Sequence, residues 1–584
     1  MKRCPQCNRV EQDDTLAFCR ADGTALISDS GPVSADAGTV KFTSAPVSSE
    51  IATGVLPQAM TDVSISRPTA PTTVLPAQHS QENTRALSKP KRRKVIVAIA
   101  AVVAMAFIAC AYLYWSHGRK AASIESIAVM PFVNESGIAD VEYLSDGMTE
   151  TLISSLSQLP NLNVKPRSSV FRYKGKETNP QTIGKELNVQ AILNGRVVQR
   201  GQELSLFVEL IDVALDKVVW SQQYNRKQSD LVTLQSEIAR DVSNKLKTKL
   251  SGADVAKVEK TYTANAEAYQ LYLKGRFHWN KRTGESLKQS VDFYNQAIEK
   301  DPNYALAYSG LAESYELFAN YSVALPQECM PKAKAAAVRA IEIDDSLAEA
   351  HSALGVYLSV FSWNQPAAER EFRRAIELNP NYPTAHQQLA NYCLMAMGRF
   401  DESIAEGRRA EELDPLSPVI SMDVGANLTR ARRFNEAIAQ LNRTLTLDPN
   451  FYAARFALGT AYHANGQYGE AIAEFRKALA LNDDPWVKAL LARSLAKSGQ
   501  RGEVIKILGE LESESARRYV PSAGLAVVFG ALGEKDKAFV WLEKDVTERT
   551  PRPPLFSVNP VFDDLRDHPR FQDLVHRVAL AKID

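Results

Sequence analysis

At 584 residues the chain exceeds what one hydrophobic core supports, and a length prior gives roughly three or four domains. A formal charge of +1 leaves no global field to draw it to nucleic acid or acidic lipid. Apolar content of 45% and charged content of 23% place it with globular proteins and say nothing finer. The six cysteines are more telling: Cys4, Cys7 and Cys19 cluster at the start, Cys110 lies in an apolar run, and Cys329 and Cys393 stand apart. That spacing is no disulfide framework, and the last two read as small buried residues on helices.

The opening stretch CPQCNRVEQDDTLAFCRADG pairs Cys4 with Cys7 and repeats the spacing at Cys19 and Asp22. Tetrahedral zinc takes thiolate at about 2.3 Å and carboxylate at about 2.0–2.2 Å, so three sulfurs and one oxygen form an acceptable closed set. The stretch resembles short zinc ribbons that begin CPxC and close FCxxCG, with Asp22 standing where the final cysteine belongs. Zinc at Cys4, Cys7, Cys19 and Asp22 of a 1–27 ribbon is therefore expected in a structural role, supplying on the order of 10 kcal/mol of folding energy. A degenerate ribbon without metal is the alternative. Residues 28–94 are rich in Ser, Thr, Pro and Ala with no sustained period, the composition of a disordered linker, and end in the basic run SKPKRRK.

Residues 95–115, VIVAIAAVVAMAFIACAYLYW, carry no charge. As a helix they would reach about 31 Å, against a hydrocarbon core of about 30 Å. Lys89, Lys91, Arg92, Arg93 and Lys94 precede the run and only Arg119 and Lys120 closely follow it. The positive-inside rule thus places the N-terminus in the cytoplasm and residues 116–584 outside it, in the periplasm of a two-membrane cell. Cytoplasmic cysteines stay reduced and available to metal.

From Ile124 the pattern is mixed α/β. SIAVMPFVN reads as a strand, Val141 to Leu159 as a helix, LNVKPRSSV as a strand and PQTIGKELNV as a short helix. QAILNGRVVQR, ELSLFVELIDV and KVVWSQQYN read as an antiparallel meander, closed by an amphipathic helix from Leu231 to Leu250. The words IAVMPFVNESG, YLSDGMTETLISSLSQLPNLNV and LIDVALDKVVWSQQYNRK resemble the N-terminal-TolB-like domain found beside tetratricopeptide arrays. The resemblance, over 124–250, implies a partner-binding or sensory module, often joined to a winged-helix, cyclase or kinase domain; no such output domain is visible here. Asp146 and Glu150, one helical turn apart, read as a solvated helix face rather than a catalytic carboxylate pair.

Beyond residue 264 the words EKDPN, EIDDS, ELNPN, ELDPL, TLDPN and ALNDD put Asp or Asn at 301, 344, 379, 414, 448 and 482. That spacing of about 34 residues is the helix–turn–helix period of a tetratricopeptide repeat, and about eight units are expected over 264–553 with a cap at 554–584. Gly459, Ala471, Phe475 and Ala478, and Gly425, Ala437 and Leu441 in the unit before, supply the small–large packing of paired helices. Stacked pairs make a curved solenoid with a concave groove. Positions one place after the packing glycine or alanine, and one turn either side, face it: Ser309, Glu313, Glu316, Ser352, Gln387, Asn391, Thr429, Phe456, Thr460 and His463. No Lys/Arg/Asn set stands ready to clamp a carboxylate terminus, and the groove is mildly acidic at its N-terminal end. Histidines such as His278, His568 and His576 have no partner at metal-ligand spacing and read as packing or surface residues.

The expected fold is multidomain: ribbon, one transmembrane helix, α/β domain and all-α tetratricopeptide solenoid. The expected function is a single-pass membrane scaffold whose outer region binds protein partners. It is not an enzyme, it has no catalytic residues, and nucleic acid is disfavoured as a partner. The alternative is a transmembrane signalling protein with the ribbon as its output.

Overall fold

The computed structural model describes residues 124–580, apart from 139–140, 160, 247–251 and 322, together with six residues near the start. It divides into two units, Met1–Ala106 and Phe107–Asp584. In the first, β1 (Lys2–Arg3), β2 (Val10–Glu11) and β3 (Ile27–Ser28) form a small antiparallel sheet in the order β2-β1-β3, with Lys2 opposite both Glu11 and Ser28. Cys4, Cys7, Cys19 and Asp22, the expected linker beyond Ser28 and the expected span at 95–115 lie outside the described residues. Among the described residues no helix is long and apolar enough to cross a membrane, and no three His, Cys, Asp or Glu side chains gather to hold a metal ion.

The second unit begins with a mixed sheet of β4 (Ser126–Val129), β5 (Val133–Asn134), β6 (Asn163–Val164), β7 (Ala191–Arg200), β8 (Glu203–Asp212) and β9 (Lys217–Lys227). The order is β6-β4-β7-β8-β9, with β5 also pairing β7; β4 runs parallel to β6 and β7, and β7, β8 and β9 form the expected antiparallel meander. On β8, Leu204, Leu206, Val208 and Leu210 are all buried, the period of two that a sheet with one covered face requires. Helices α1 (Glu142–Ser157) and α4 (Leu231–Lys245) belong to the same core, through Leu144, Met148, Leu152, Leu234 and Ile238. LNVKPRSSV does not continue as a strand: after Asn163–Val164 the chain turns into a short helix, α2 (Arg167–Val170). Pro166 has no N–H to donate to a ladder, and it sits at the helix start, where that loss costs nothing. A two-turn helix, α3 (Pro180–Leu187), and a short helix, α5 (Gly252–Val258), complete this part.

Among the described residues, eight antiparallel helix pairs follow. They are α6 (Ala266–Asn280) with α7 (Gly284–Lys300), α8 (Ala305–Asn320) with α9 (Pro326–Ile343), α10 (Ala348–Val356) with α11 (Gln365–Leu378), and α12 (Pro383–Gln388) with α13 (Phe400–Leu413). Then come α14 (Pro418–Arg430) with α15 (Phe434–Leu447), α16 (Tyr452–Ala464) with α17 (Tyr468–Leu481), α18 (Pro485–Lys497) with α19 (Arg501–Ser515), and α20 (Ser522–Ala531) with α21 (Lys535–Thr547). The long first spacing in the sequence comes from an 18-residue α9 and the turn before it. Phe475 of α17 is buried against Gly459 of α16, where a Cβ would stand 2.7 Å from the ring; Gly355 meets Phe372 in the same way. The aspartates of the repeated words close the turns between pairs: Asp301 and Asp448 accept from the backbone N–H two residues on. Cys329 and Cys393 are buried, as expected. In the third and fourth pairs the groove-side helix widens into a π turn, at Tyr357–Phe361 and Leu389–Leu394.

The solenoid completes a turn upon itself. Gln327 Nε2, at the start of α9, donates to the carbonyl of Thr547, and Arg549 Nη1 donates to the carbonyl of Phe361 while its guanidinium lies 4.2 Å over Trp363. Beyond the last pair, Phe556, Phe562 and Phe571 form an aromatic cluster that seats α22 (Pro569–Leu580) as an end cap.

Candidate functional site

The concave face encloses a cavity of about 1820 Å³. One wall is the α/β domain, whose α1 lies against α6 of the first pair; Gly147 permits the approach, since a Cβ there would meet Leu273 at 2.8 Å. The same domain reaches the far side of the groove. Ser169 Oγ donates to Asp414 Oδ1 at 2.6 Å, Ser168 bonds the other oxygen, and Asn381 Nδ2 donates to the carbonyl of Leu162. Burial raises the Asp414 carboxyl; the two serine hydroxyls and Lys165 act against that rise.

Where α1 meets α6 the wall is ionic. Arg276 donates through Nε to Glu150 Oε1 at 2.8 Å and through Nη1 to Glu313 Oε2 at 2.5 Å. Asn280 Nδ2 donates to Glu150 Oε2 at 2.7 Å, and Arg167 stands 3.4 Å away. Burial opposes the Glu150 charge, but Arg276 and Arg167 outweigh it and hold that carboxyl below its usual range. Asp146 and Glu150 are thus not a solvated face. Asp146 is buried against Lys174, and Glu150 is covered by the first helix pair, a contact that no local helix pattern announces.

Seven of the ten expected groove residues line the cavity: Ser309, Glu313, Glu316, Ser352, Gln387, Asn391 and Phe456. Gln387 Nε2 donates to Asp423 at 2.6 Å, and Asn391 accepts from Asn427 Nδ2 at 2.6 Å. The other three, Thr429, Thr460 and His463, are not among its lining residues. The hydroxyls of Thr429 and Thr460 donate to the carbonyls of Gly425 and Phe456 in their own helices. His463 is buried with Nδ1 2.7 Å from Ser494 Oγ. Around it the cap segment comes in: the Pro560–Phe562 turn touches α16, and Arg493 holds both the Pro560 carbonyl and Asp564.

Sequence reasoning missed Tyr272, Arg276 and Trp279, which also line the cavity. They stand one turn before, one place after and one turn after Gly275, the packing glycine of the first pair, so the same rule applied there finds them. Further lining residues are Glu349, Tyr382, Tyr392 and Trp486. Glu316 and Glu349 form no ion pair among the described residues, and burial raises both carboxyls, with Glu313 adding to the rise. One oxygen of Glu316 and the hydroxyl of Ser309, both shielded from solvent, have no hydrogen-bond partner.

Two tetratricopeptide family models match, over residues 366–418 and 428–494. The C-terminal region is built of tetratricopeptide repeats. Over residues 122–241 the matching model is that of the "HilA/YgeH-like transcriptional regulator, second domain", a regulator description rather than a TolB-like one. A Rhizobium meliloti (strain 1021) protein named "Putative adenylate cyclase 3" is 31% identical over 236 residues, which is 40% of each chain. Transcriptional regulator HilA of Salmonella typhimurium is 31% identical over 96 residues, 16% of this chain and 17% of that one. The chain therefore spans less than half the length of these curated relatives. Among solved structures, YrrB, "a TPR protein with an unusual peptide-binding site", is 21% identical with a TM-score of 0.25, covering 33% of this chain and 94% of its own. Pseudomonas aeruginosa pilF is 19% identical with a TM-score of 0.30, covering 36% and 92%.

Proposed function

We propose that this chain is a membrane-anchored scaffold that holds a protein segment in the cavity between its α/β domain and its repeats. The observation that carries the reading is the cavity itself. Tetratricopeptide repeats serve protein–protein interaction, and here their concave face is walled on one side by a second domain, so an occupant would touch both. The cavity exceeds the roughly 300–1,000 Å³ of small-molecule pockets, which favours a stretch of polypeptide. The charge-free run at 95–115, with its basic N-terminal flank, supports a single span with the N-terminus in the cytoplasm and residues 116–584 outside it. The spacing of Cys4, Cys7, Cys19 and Asp22 supports a structural zinc on the cytoplasmic side.

The regulator description matched by residues 122–241 favours a second reading, in which the outer region senses its partner and the ribbon passes the signal on. Photo-crosslinking in cells separates the two. A crosslinking residue at Phe456, in the cavity, should trap a defined protein, whereas one at Ile505, exposed on α19, should not. Equal trapping from both positions would remove the scaffold reading. Trapping from Phe456 that alters cytoplasmic partners only when residues 1–88 are present would establish the second.

A further inference from the structure

Among the described residues, seven of the eight helix pairs turn through a left-handed residue two places before their second helix begins. Four of them place glycine there, Gly398, Gly466, Gly499 and Gly533, the residue that takes this conformation without steric cost. The other three place Arg282 (φ 54°), Trp363 (φ 61°) and Arg432 (φ 64°), side chains that this conformation disfavours. Two of these have an evident long-range use. Trp363 lies under the Arg549 guanidinium where the solenoid meets itself, and Arg432 holds both carboxylate oxygens of Asp563 ahead of the end cap.

Arg282 has no ion pair among the described residues. Its side chain is exposed, lines the cavity, and carries its guanidinium 3.7 Å over the Trp279 ring. The carboxylates that act on it, Glu313 and Glu150, are both bound by Arg276, and Arg167 also stands 3.4 Å from Glu150. Three guanidiniums thus face two carboxylates, and the one left over is at the cavity. Burial raises the carboxyls of Glu316 and Glu349, so these acids further along the wall oppose an incoming anion less than full charges would.

We infer that Arg282 receives a carboxylate of the protein segment bound in the cavity, from an aspartate or glutamate side chain or from the segment's chain end. The inference rests on the scaffold reading and narrows it. Stacking on Trp279 orients the guanidinium plane before the segment arrives, so less freedom is lost on binding. The fork of guanidinium N–H donors matches a carboxylate, and such charge-assisted hydrogen bonds are roughly twice as strong as neutral ones. The arginine at a glycine position then has a long-range use, as Trp363 and Arg432 do.

The test is selection of random 12-residue peptides on the full-length chain, displayed both as internal segments and with free carboxyl ends. Fluorescence polarisation then measures binding of the enriched peptides. They should share one acidic residue or require their free end, and the library that yields them tells side chain from chain end. Converting that carboxylate to its amide should weaken binding about tenfold or more. Arg282→Gly should do the same to the unmodified peptide and cost nothing further once the carboxylate is an amide. Glycine suits this turn, so the amides of Ala266–Asn280 should keep their exchange protection in the variant. Peptides bound without a carboxylate, or binding indifferent to Arg282→Gly, would overturn the inference and leave the scaffold reading in place. Binding lost together with protection of Ala266–Asn280 would also overturn it, by making the role of Arg282 structural. Failure of both libraries to enrich any peptide would remove both readings.

Discussion

His351 Nδ1 lies 2.7 Å from Glu371 Oε2 while its Nε2 meets the carbonyl of Asp345, and one repeat later His386 makes the same two contacts with Glu406 and Pro380. Arg455 takes the position two repeats further on, bonding Glu474 and the Pro449 carbonyl. Burial works against the charge of His351, but Glu371 and the Asp345 carbonyl outweigh it, Arg374 opposing, and its pKa rises above the ordinary value. His463 goes the other way: burial, then Arg493 and Lys497, press it down to about 3. The two histidines must therefore move stability in opposite directions with pH. The raised His351 contributes stability that is full below about pH 6.5 and fades as pH rises through its folded value. The depressed His463 stays neutral when folded, so the unfolded chain gains protons below about pH 6.5 and stability falls, by about 2 kcal/mol at pH 5. Thermal midpoints should show His351→Gln costing more at pH 6 than at pH 8, and His463→Gln costing more at pH 8 than at pH 5. Equal costs at both pH values would refute the assignment.

Glycine at the helix crossings is a packing requirement. Gly459→Ala would place a Cβ 2.7 Å from the Phe475 ring, and Phe475 is 1% exposed with nowhere to move. Overpacking of this kind costs about 1–3 kcal/mol. Gly509 sits in mid-helix on α19, exposed, and a Cβ added there would have nothing within 4 Å. Gly509→Ala should stabilise by about 0.5–1 kcal/mol through helix propensity. Urea denaturation of the two variants should give shifts of opposite sign; a stabilising Gly459→Ala would show that the pair can slide apart.

The solenoid was legible because its signal is local and repeated. Asp or Asn at the end of each second helix caps a turn, and a glycine or alanine faces a large residue on the partner helix. The groove positions followed from the same register, and seven of them line the cavity. What local sequence could not reveal was long-range covering. Glu150 reads as solvated until α6 is laid across it, and His463 reads as groove-facing until the segment around Asp564 folds back over α16 and α18. The π turns that widen the third and fourth pairs likewise leave no mark in the spacing of the repeated words. Pro166 was a readable signal: a strand does not run through it, and the helix that follows begins just there.

The metal expectation concerns Cys4, Cys7, Cys19 and Asp22 near the start of the chain. Purified without chelator, the full-length chain should carry about one zinc ion, and Cys4→Ser or Cys19→Ser should remove it. Asp22→Cys should tighten binding, because a fourth thiolate replaces a carboxylate in a tetrahedral thiolate set. Elemental analysis reads all three. A metal-free wild-type chain, with metal regained only in Asp22→Cys, would identify the ribbon as degenerate.

The ion cluster at the joint makes an ordered prediction. Removing Arg276 leaves Glu313 without its ion partner and Glu150 with only Arg167 and Asn280, whereas Glu150→Gln leaves Arg276 with Glu313 and leaves Asn280 an acceptor. The side chains of Arg276, Glu150 and Glu313 are 16%, 15% and 13% exposed, so water does little to screen the loss. Breaking a buried pair from one side costs about 3–5 kcal/mol, mostly for the charge left behind. Arg276→Met should therefore destabilise the joint by that order and Glu150→Gln by less. Adding Glu150→Gln to Arg276→Met should recover part of the loss, since it removes one of the two negative charges that Arg276 had balanced. Hydrogen exchange is the suitable readout, because it reports the loss helix by helix. Amides of Glu142–Ser157 and Ala266–Asn280 should lose protection most in Arg276→Met and regain some in the double variant, while those of Tyr452–Ala464 stay unchanged. Uniform loss across all three helices would mean that the cluster holds the whole solenoid rather than the joint.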